Sequence, residues 1–160
     1  MPNILFVCTA NQFRSPLCAA FFEQALRDKE MDGQWTVKSA GTWVPRRSGA
    51  HPAAIREGRK LGVDLSQHRS SEIDEAMIQA ADLVVVMTKN HEEALQIEFS
   101  DFDSKIHCLT EFSGSLVSDI EDPAEEGFIN AETMTGELLK EIETAFLSIC
   151  KFVDKQAINK

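Results

Sequence analysis

Five residues separate Cys8 from Arg14 in Cys8-Thr9-Ala10-Asn11-Gln12-Phe13-Arg14-Ser15, and that spacing suits a phosphate-binding loop around a nucleophile. A thiolate attacks phosphorus in line and leaves a phosphocysteine, which water then hydrolyses. The guanidinium of Arg14 supplies a permanent charge and a planar fork for two phosphate oxygens. If a helix opens at Arg14, its free N–H groups and dipole face the same point. They would hold a phosphate together with the backbone of Thr9, Ala10, Asn11, Gln12 and Phe13. The same field stabilises the thiolate form of Cys8. Ser15 can donate a hydrogen bond to the sulfur, and Asn11 tolerates the left-handed backbone that a tight loop needs. The departing oxygen needs a proton, hence a general acid. Asp122, ahead of Pro123 in a late loop, is the best placed, with Asp119 and Glu121 as competitors.

Cys8 and Arg14 need elements to bring them to one edge. Asn3 to Cys8 reads as a buried strand. A helix follows from Arg14-Ser15-Pro16, with Pro16 in its first turn, and ends at Asp32-Gly33. Trp35 to Ser39 predicts a second strand, and Thr42 to Gly49 a loop carrying Trp43, Arg46 and Arg47. A helix runs from Pro52 towards Leu61. Ser71 with Asp74 reads as the cap of another helix ending near Ala80. Asp82 to Met87 is apolar on both faces, as in a covered parallel strand. His91 to Phe99 predicts a helix, Lys105 to Leu109 a fourth strand, and Glu111 to Pro123 a loop. The last helix spans Glu132 to Asp154. Alternating strands and helices predict an α/β fold: one three-layer α/β/α domain over residues 1–160, a four-stranded parallel sheet with helices on both faces. Ligands of such sheets bind at the carboxyl ends of strands, where Cys8 falls.

Composition narrows the classes. With 160 residues and 43% hydrophobic content, the chain suits one globular core. A net charge of −10 disfavours nucleic acid and anionic membrane as partners. The apolar stretch Ile4 to Val7 is too short for a signal peptide or membrane span, which points to the cytoplasm. Four cysteines without CxxC spacing read as reduced thiols, with no zinc site. The expectations are no metal, no cofactor, and a monomer or weak dimer. A lone Cys-x5-Arg pair is a weak signal, because a buried cysteine is usually core. The preceding strand, following helix, adjacent Ser15 and later Asp122-Pro123 give it weight together.

Val7 to Pro16 resembles the signature of the low-molecular-weight protein tyrosine phosphatases. Ser39-Ala40-Gly41-Thr42, Leu65 to Arg69, Asp82 to Met87 and Asp122-Pro123 resemble that family's later segments, in the same order. The resemblance implies the fold already described and a phosphoprotein or phosphopeptide substrate. It implies Cys8 as nucleophile, Arg14 as phosphate clamp and Asp122 as acid, supported by Asn11, Ser15 and His68. It ranks phosphotyrosine first.

Several positions depart from the family. Ala10 stands where glycine is usual, so a left-handed backbone there would carry a cost. Phe13 stands where many members have a second cysteine that protects the nucleophile from over-oxidation. Cys18 reads as core, leaving Cys8 without a protective partner in the loop. The chain has no tyrosine, so Trp43 is the expected aromatic wall of the pocket. Arg46 and Arg47 are expected to draw an anionic substrate to the rim. Gln12 is neither the aliphatic residue of tyrosine-specific relatives nor the small polar residue of phosphoarginine-specific ones. The alternatives are a protein-arginine phosphatase, an arsenate reductase, which would need two further relay thiols, and a phosphate-binding regulatory module without activity.

Overall fold

The computed structural model describes residues 1–159. Four short segments form one sheet: β1 (Asn3–Cys8), β2 (Thr36–Gly41), β3 (Leu83–Val86) and β4 (Ile106–Cys108). Every neighbouring pair is parallel and the spatial order is β2-β1-β3-β4. The fold is therefore the expected three-layer α/β/α arrangement. Parallel strands need crossovers, and the helices that supply them cover both faces.

The period of two in the strands sorts the core into two layers. Ile4, Phe6, Cys8, Leu83, Val85 and Met87 face α1 (Arg14–Asp28) and α6 (Ala131–Ile158). Leu17, Phe21 and Phe22 of α1 meet Leu138, Ile142, Phe146 and Ile149 of α6 in that layer, and Ala53 and Ala54 of α2 (Pro52–Lys60) join them. Leu5, Val7, Val84, Val86, Ile106 and Cys108 face the other way. There they pack on Ile78 of α3 (Glu75–Ala80) and Leu95 of α4 (Lys89–Glu98). Burial of an aliphatic side chain of this size stabilises by about 1.5–3 kcal/mol. The shared core thus fixes where β1 ends.

That end is a switch point. From β1 the chain crosses to β2 on one side, then returns to β3 on the other. The crevice left at the carboxyl edge opens above Cys8.

The boundaries differ from the sequence reading in instructive places. α1 ends at Asp28, before Asp32-Gly33, because the Met31 N–H turns back to the Leu26 carbonyl at 2.8 Å. Asp74 alone caps α3, accepting from the Met77 N–H at 2.8 Å. Ser71 is no cap: its N–H donates to Asn11 and its carbonyl accepts from Gly41. Thr88 caps α4, so that helix starts at Lys89 ahead of His91. A short helix, α5 (Leu109–Ser113), opens directly after β4, where a loop was expected. α6 runs about a turn further than Asp154, to Ile158. Among the described residues, no helix is long and apolar enough to cross a membrane.

Candidate active site

The loop from Cys8 to Arg14 is held by side chains from three other segments. Asn11 is the hub. It is fully buried and takes a left-handed φ of 56°. Its Nδ2 donates to Ser15 Oγ at 2.8 Å and to Ser39 Oγ at 2.9 Å. Its Oδ1 accepts from the Ser71 N–H at 3.0 Å. Its carbonyl accepts from His68 Nε2 at 2.8 Å. His68 must carry its proton on Nε2, since a carbonyl only accepts. Burial lowers the His68 pKa, partly opposed by that hydrogen bond.

Ala10 corrects an expectation. The non-glycine residues with positive φ among those described are Asn11, Glu30 and Phe128. Ala10 is not one of them, so replacing the usual glycine creates no left-handed strain there.

Cys8 is buried, and its Sγ lies 3.0 Å from Ser15 Oγ at the start of α1. Arg14 is also buried, which fixes its guanidinium. One of its terminal nitrogens donates to the Ile120 carbonyl at 2.8 Å. The other lies 3.5 Å from Asp122 Oδ2 and 3.4 Å from Thr9 Oγ1. Asp122 stands a third exposed, with Oδ1 accepting from the Ala124 N–H at 3.0 Å and Oδ2 towards Arg14. The two competitors separate from it. Asp119 caps the chain at Lys89, accepting from its N–H at 2.8 Å, and Glu121 is exposed. The structure thus brings Cys8, Arg14, Ser15, Asn11, His68 and Asp122 to one end of the sheet.

The remaining expected residues are spread around this centre. Phe13 points away from the loop into the core, with its ring 5.7 Å from Phe128. Gln12 Nε2 donates to Ser48 Oγ at 2.8 Å. Ala10, Gln12 and Trp43 line a groove of about 580 Å³ with Arg46, Arg47 and Arg69. Trp43 is 66% exposed, free to meet a ligand but backed by little. On the Arg14 side, a cavity of about 350 Å³ is lined by Thr9, Asn90, His91, Asp119, Asp122 and Glu125, among others.

His91 is a site residue that the sequence reading missed. Its Nε2 lies 2.9 Å from Thr9 Oγ1, and its Nδ1 is buried without a partner. Burial, and then the nearby Arg14 charge, lower its pKa to about 4, so it is neutral at pH 7. Its signal was available: Thr88 follows β3 at the same carboxyl edge that holds Cys8. Phe128 was also missed. It stacks on His51 at 3.6 Å and 13° and closes the far end of the acid loop.

The residues that could hold a metal lie away from this centre. Glu92, Cys108 and Glu111 bring one ligand atom each within 4.8 Å of one another. Glu92 is already engaged by Lys89 Nζ at 2.9 Å and the Cys108 N–H at 2.8 Å.

Comparison with known proteins identifies the scaffold. Residues 3–159 match the sequence model described as low molecular weight phosphotyrosine protein phosphatase. The chain belongs to this family. The low molecular weight protein tyrosine phosphatase of T. tengcongensis has a similar structure, with a TM-score of 0.83 at 30% identity, covering 92% of this chain and 99% of that one. The protein-arginine-phosphatase of Bacillus subtilis is 30% identical over 140 residues, 88% of this chain and 91% of that protein. Arsenate reductase 1 of Staphylococcus epidermidis is 29% identical over 142 residues, 89% of this chain and 93% of that protein. The family is a class of phosphatases, and relatives within it carry different substrate names.

Proposed function

We propose that this protein is a protein phosphatase that hydrolyses phosphotyrosine through a phosphocysteine intermediate. One observation carries the reading: Cys8 Sγ, 3.0 Å from Ser15 Oγ, lies at the start of a helix whose first residue, Arg14, stands 3.5 Å from Asp122. Cys8 attacks phosphorus as a thiolate, and the bond from phosphorus to the tyrosine oxygen breaks. Asp122 gives its proton to that oxygen. Arg14 and the loop N–H groups hold the three equatorial oxygens, where charge gathers in the transition state. The Asp122 carboxylate then takes a proton from water, which attacks phosphorus and frees Cys8. Ser15 steadies the sulfur as it leaves, and Asn11 and His68 hold the loop's shape. Trp43, beside Gln12, offers a face for the phenyl ring.

A second reading, phosphoarginine, draws on the polar lining beside Arg14. Asn90, Asp119, Asp122 and Glu125 give that cavity acceptors for a guanidino group. The arginine-phosphatase name of the Bacillus subtilis relative supports the same reading. Arsenate reduction has less support. It needs two further relay thiols, and Cys18 and Cys108 are both buried, which pushes their thiol pKa values up and leaves only Cys150, on α6, partly exposed.

Turnover of para-nitrophenyl phosphate by the wild type, abolished in Cys8→Ser, is the expected result; an inactive wild type at mildly acidic pH would sink the enzyme reading. Asp122→Ala should slow a poor leaving group more than a good one, and equal losses would remove it from the acid role. Matched phosphotyrosine and phosphoarginine peptides then rank the substrates by kcat/KM. Trp43→Ala should raise KM for the phosphotyrosine peptide only.

A further inference from the structure

Arg46, Arg47 and Arg69 are exposed and make no hydrogen bond or ion pair with any described residue. They stand in a chain with 26 acidic residues and a net charge of −10. All three line the groove that holds Gln12 and Trp43. The segments that carry them are locked together. The Ser48 N–H donates to Ser70 Oγ at 2.8 Å, and the Ser70 N–H returns to the Ser48 carbonyl at 2.7 Å. Ser70 is fully buried, so this clasp is shielded from water.

The clasp is also fixed to the phosphate loop. Gln12 Nε2 binds Ser48 Oγ at 2.8 Å, and the Trp43 N–H binds the Thr9 carbonyl at 3.0 Å. His68, next to Arg69 in the chain, binds the Asn11 carbonyl. The backbone that carries the three arginines is therefore anchored to the phosphate loop. The opposite flank is of opposite sign, with Asp119, Glu121, Asp122 and Glu125 beside Arg14. A substrate chain crossing the site passes from a basic wall to an acidic one.

Resting on the phosphatase reading above, we infer that Arg46, Arg47 and Arg69 form a docking subsite for acidic side chains flanking the phosphorylated residue of a protein substrate. A guanidinium takes a carboxylate or a phosphate through paired hydrogen bonds. Carboxylates of Asp and Glu neighbours and a second phosphoryl group share this chemistry. The acidic wall opposite repels the same groups, so acidic neighbours on only one side of the phosphoresidue are accepted. The subsite selects among substrates and adds nothing to the chemical step. Small esters do not reach it.

Two measurements test this. In the first, kcat/KM is measured for phosphopeptides with Glu, Ala or Lys neighbours on the amino or carboxyl side, and for one with a second phosphoryl group. The wild type should prefer Glu over Lys about five- to tenfold on one side, the sum of several partly exposed ion pairs. The preference should shrink with added salt. Arg46→Ala/Arg47→Ala/Arg69→Ala should lose it. Arg46→Glu/Arg47→Glu should favour Lys neighbours. Preference for the second phosphoryl group alone would assign the subsite to phosphate, and for Glu as well to anions in general. In the second, the same peptides are titrated against Cys8→Ser protein, with and without the arginine substitutions, by fluorescence anisotropy. This reads docking without turnover, so an inactive enzyme and an absent subsite give different results. Equal binding of Glu and Lys peptides, or a preference unchanged in the triple variant, would overturn the subsite.

Discussion

Asn11 carries both strain and satisfaction in one side chain. Its backbone is left-handed, and its amide serves Ser15, Ser39 and the Ser71 N–H at once. Asn11→Ala strands those buried groups and keeps the strained φ, so unfolding in urea should show a loss of about 3 kcal/mol. Asn11→Gly loses the same bonds but relieves the backbone, and should recover about 1 kcal/mol of that. Equal losses would mean the conformation costs nothing. Oxidation is the second test at this scale. Cys18 is sealed in the core, so mild peroxide should carry Cys8 to sulfinic acid. Mass spectrometry finding a Cys8–Cys18 disulfide instead would overturn that. Cys8, Arg14, Asn11 and Ser15 were legible because they lie within one loop of sequence. Ser39, His91 and Phe128 were not, because each gains its role only when a distant strand or loop arrives beside it.

Gly41 shows how the elements constrain one another. It ends β2 against the phosphate loop, and a Cβ built there would lie 2.5 Å from the Thr9 carbonyl and 2.7 Å from Val44 Cγ2. Backbone on one side leaves no room to yield. Gly41→Ala should cost stability by roughly 2 kcal/mol through overpacking. It should also lower kcat for para-nitrophenyl phosphate, because the displaced carbonyl belongs to the loop proposed to bind phosphate. Normal kcat with lowered stability would separate the two roles. The number of strands and their parallel sense were legible from short runs alternating with helices; their spatial order was not. The cap of α3 was misread for a physical reason: Ser71 and Asp74 have the spacing of a shared cap, but the Ser71 N–H is claimed by Asn11, a partner 60 positions away in sequence. Local propensity cannot report a competitor so remote.

At the scale of the whole molecule, acid should loosen the fold through its buried histidines. His91 has a folded pKa of about 4 against an ordinary 6.5, with burial first among the causes. Above pH 6.5 both folded and unfolded chains hold it neutral, and its contribution is complete. As pH falls from 6.5 towards 4, the unfolded chain binds the proton first and stability drops. His68, also lowered by burial, acts in the same direction. The thermal midpoint should fall across this window, and His91→Asn should flatten part of that fall. Parallel curves for the two proteins would remove His91 from the effect. Acidic composition was legible at once. The gathering of arginines at one wall was not, because Arg69 joins Arg46 and Arg47 only through the buried clasp of Ser48 and Ser70.

The acid loop is pinned at both ends. Near its start, the Ile120 N–H holds the Met87 carbonyl at 2.8 Å, while its carbonyl takes Arg14. At its finish, Gly127 and Phe128 turn in the left-handed region, and the Phe128 ring lies on His51. If Asp122 is the proton donor, as proposed, a donor fixed in this way is ready before any substrate arrives. The entropy of ordering the segment is spent during folding, once per molecule, so no lid has to close between one catalytic cycle and the next.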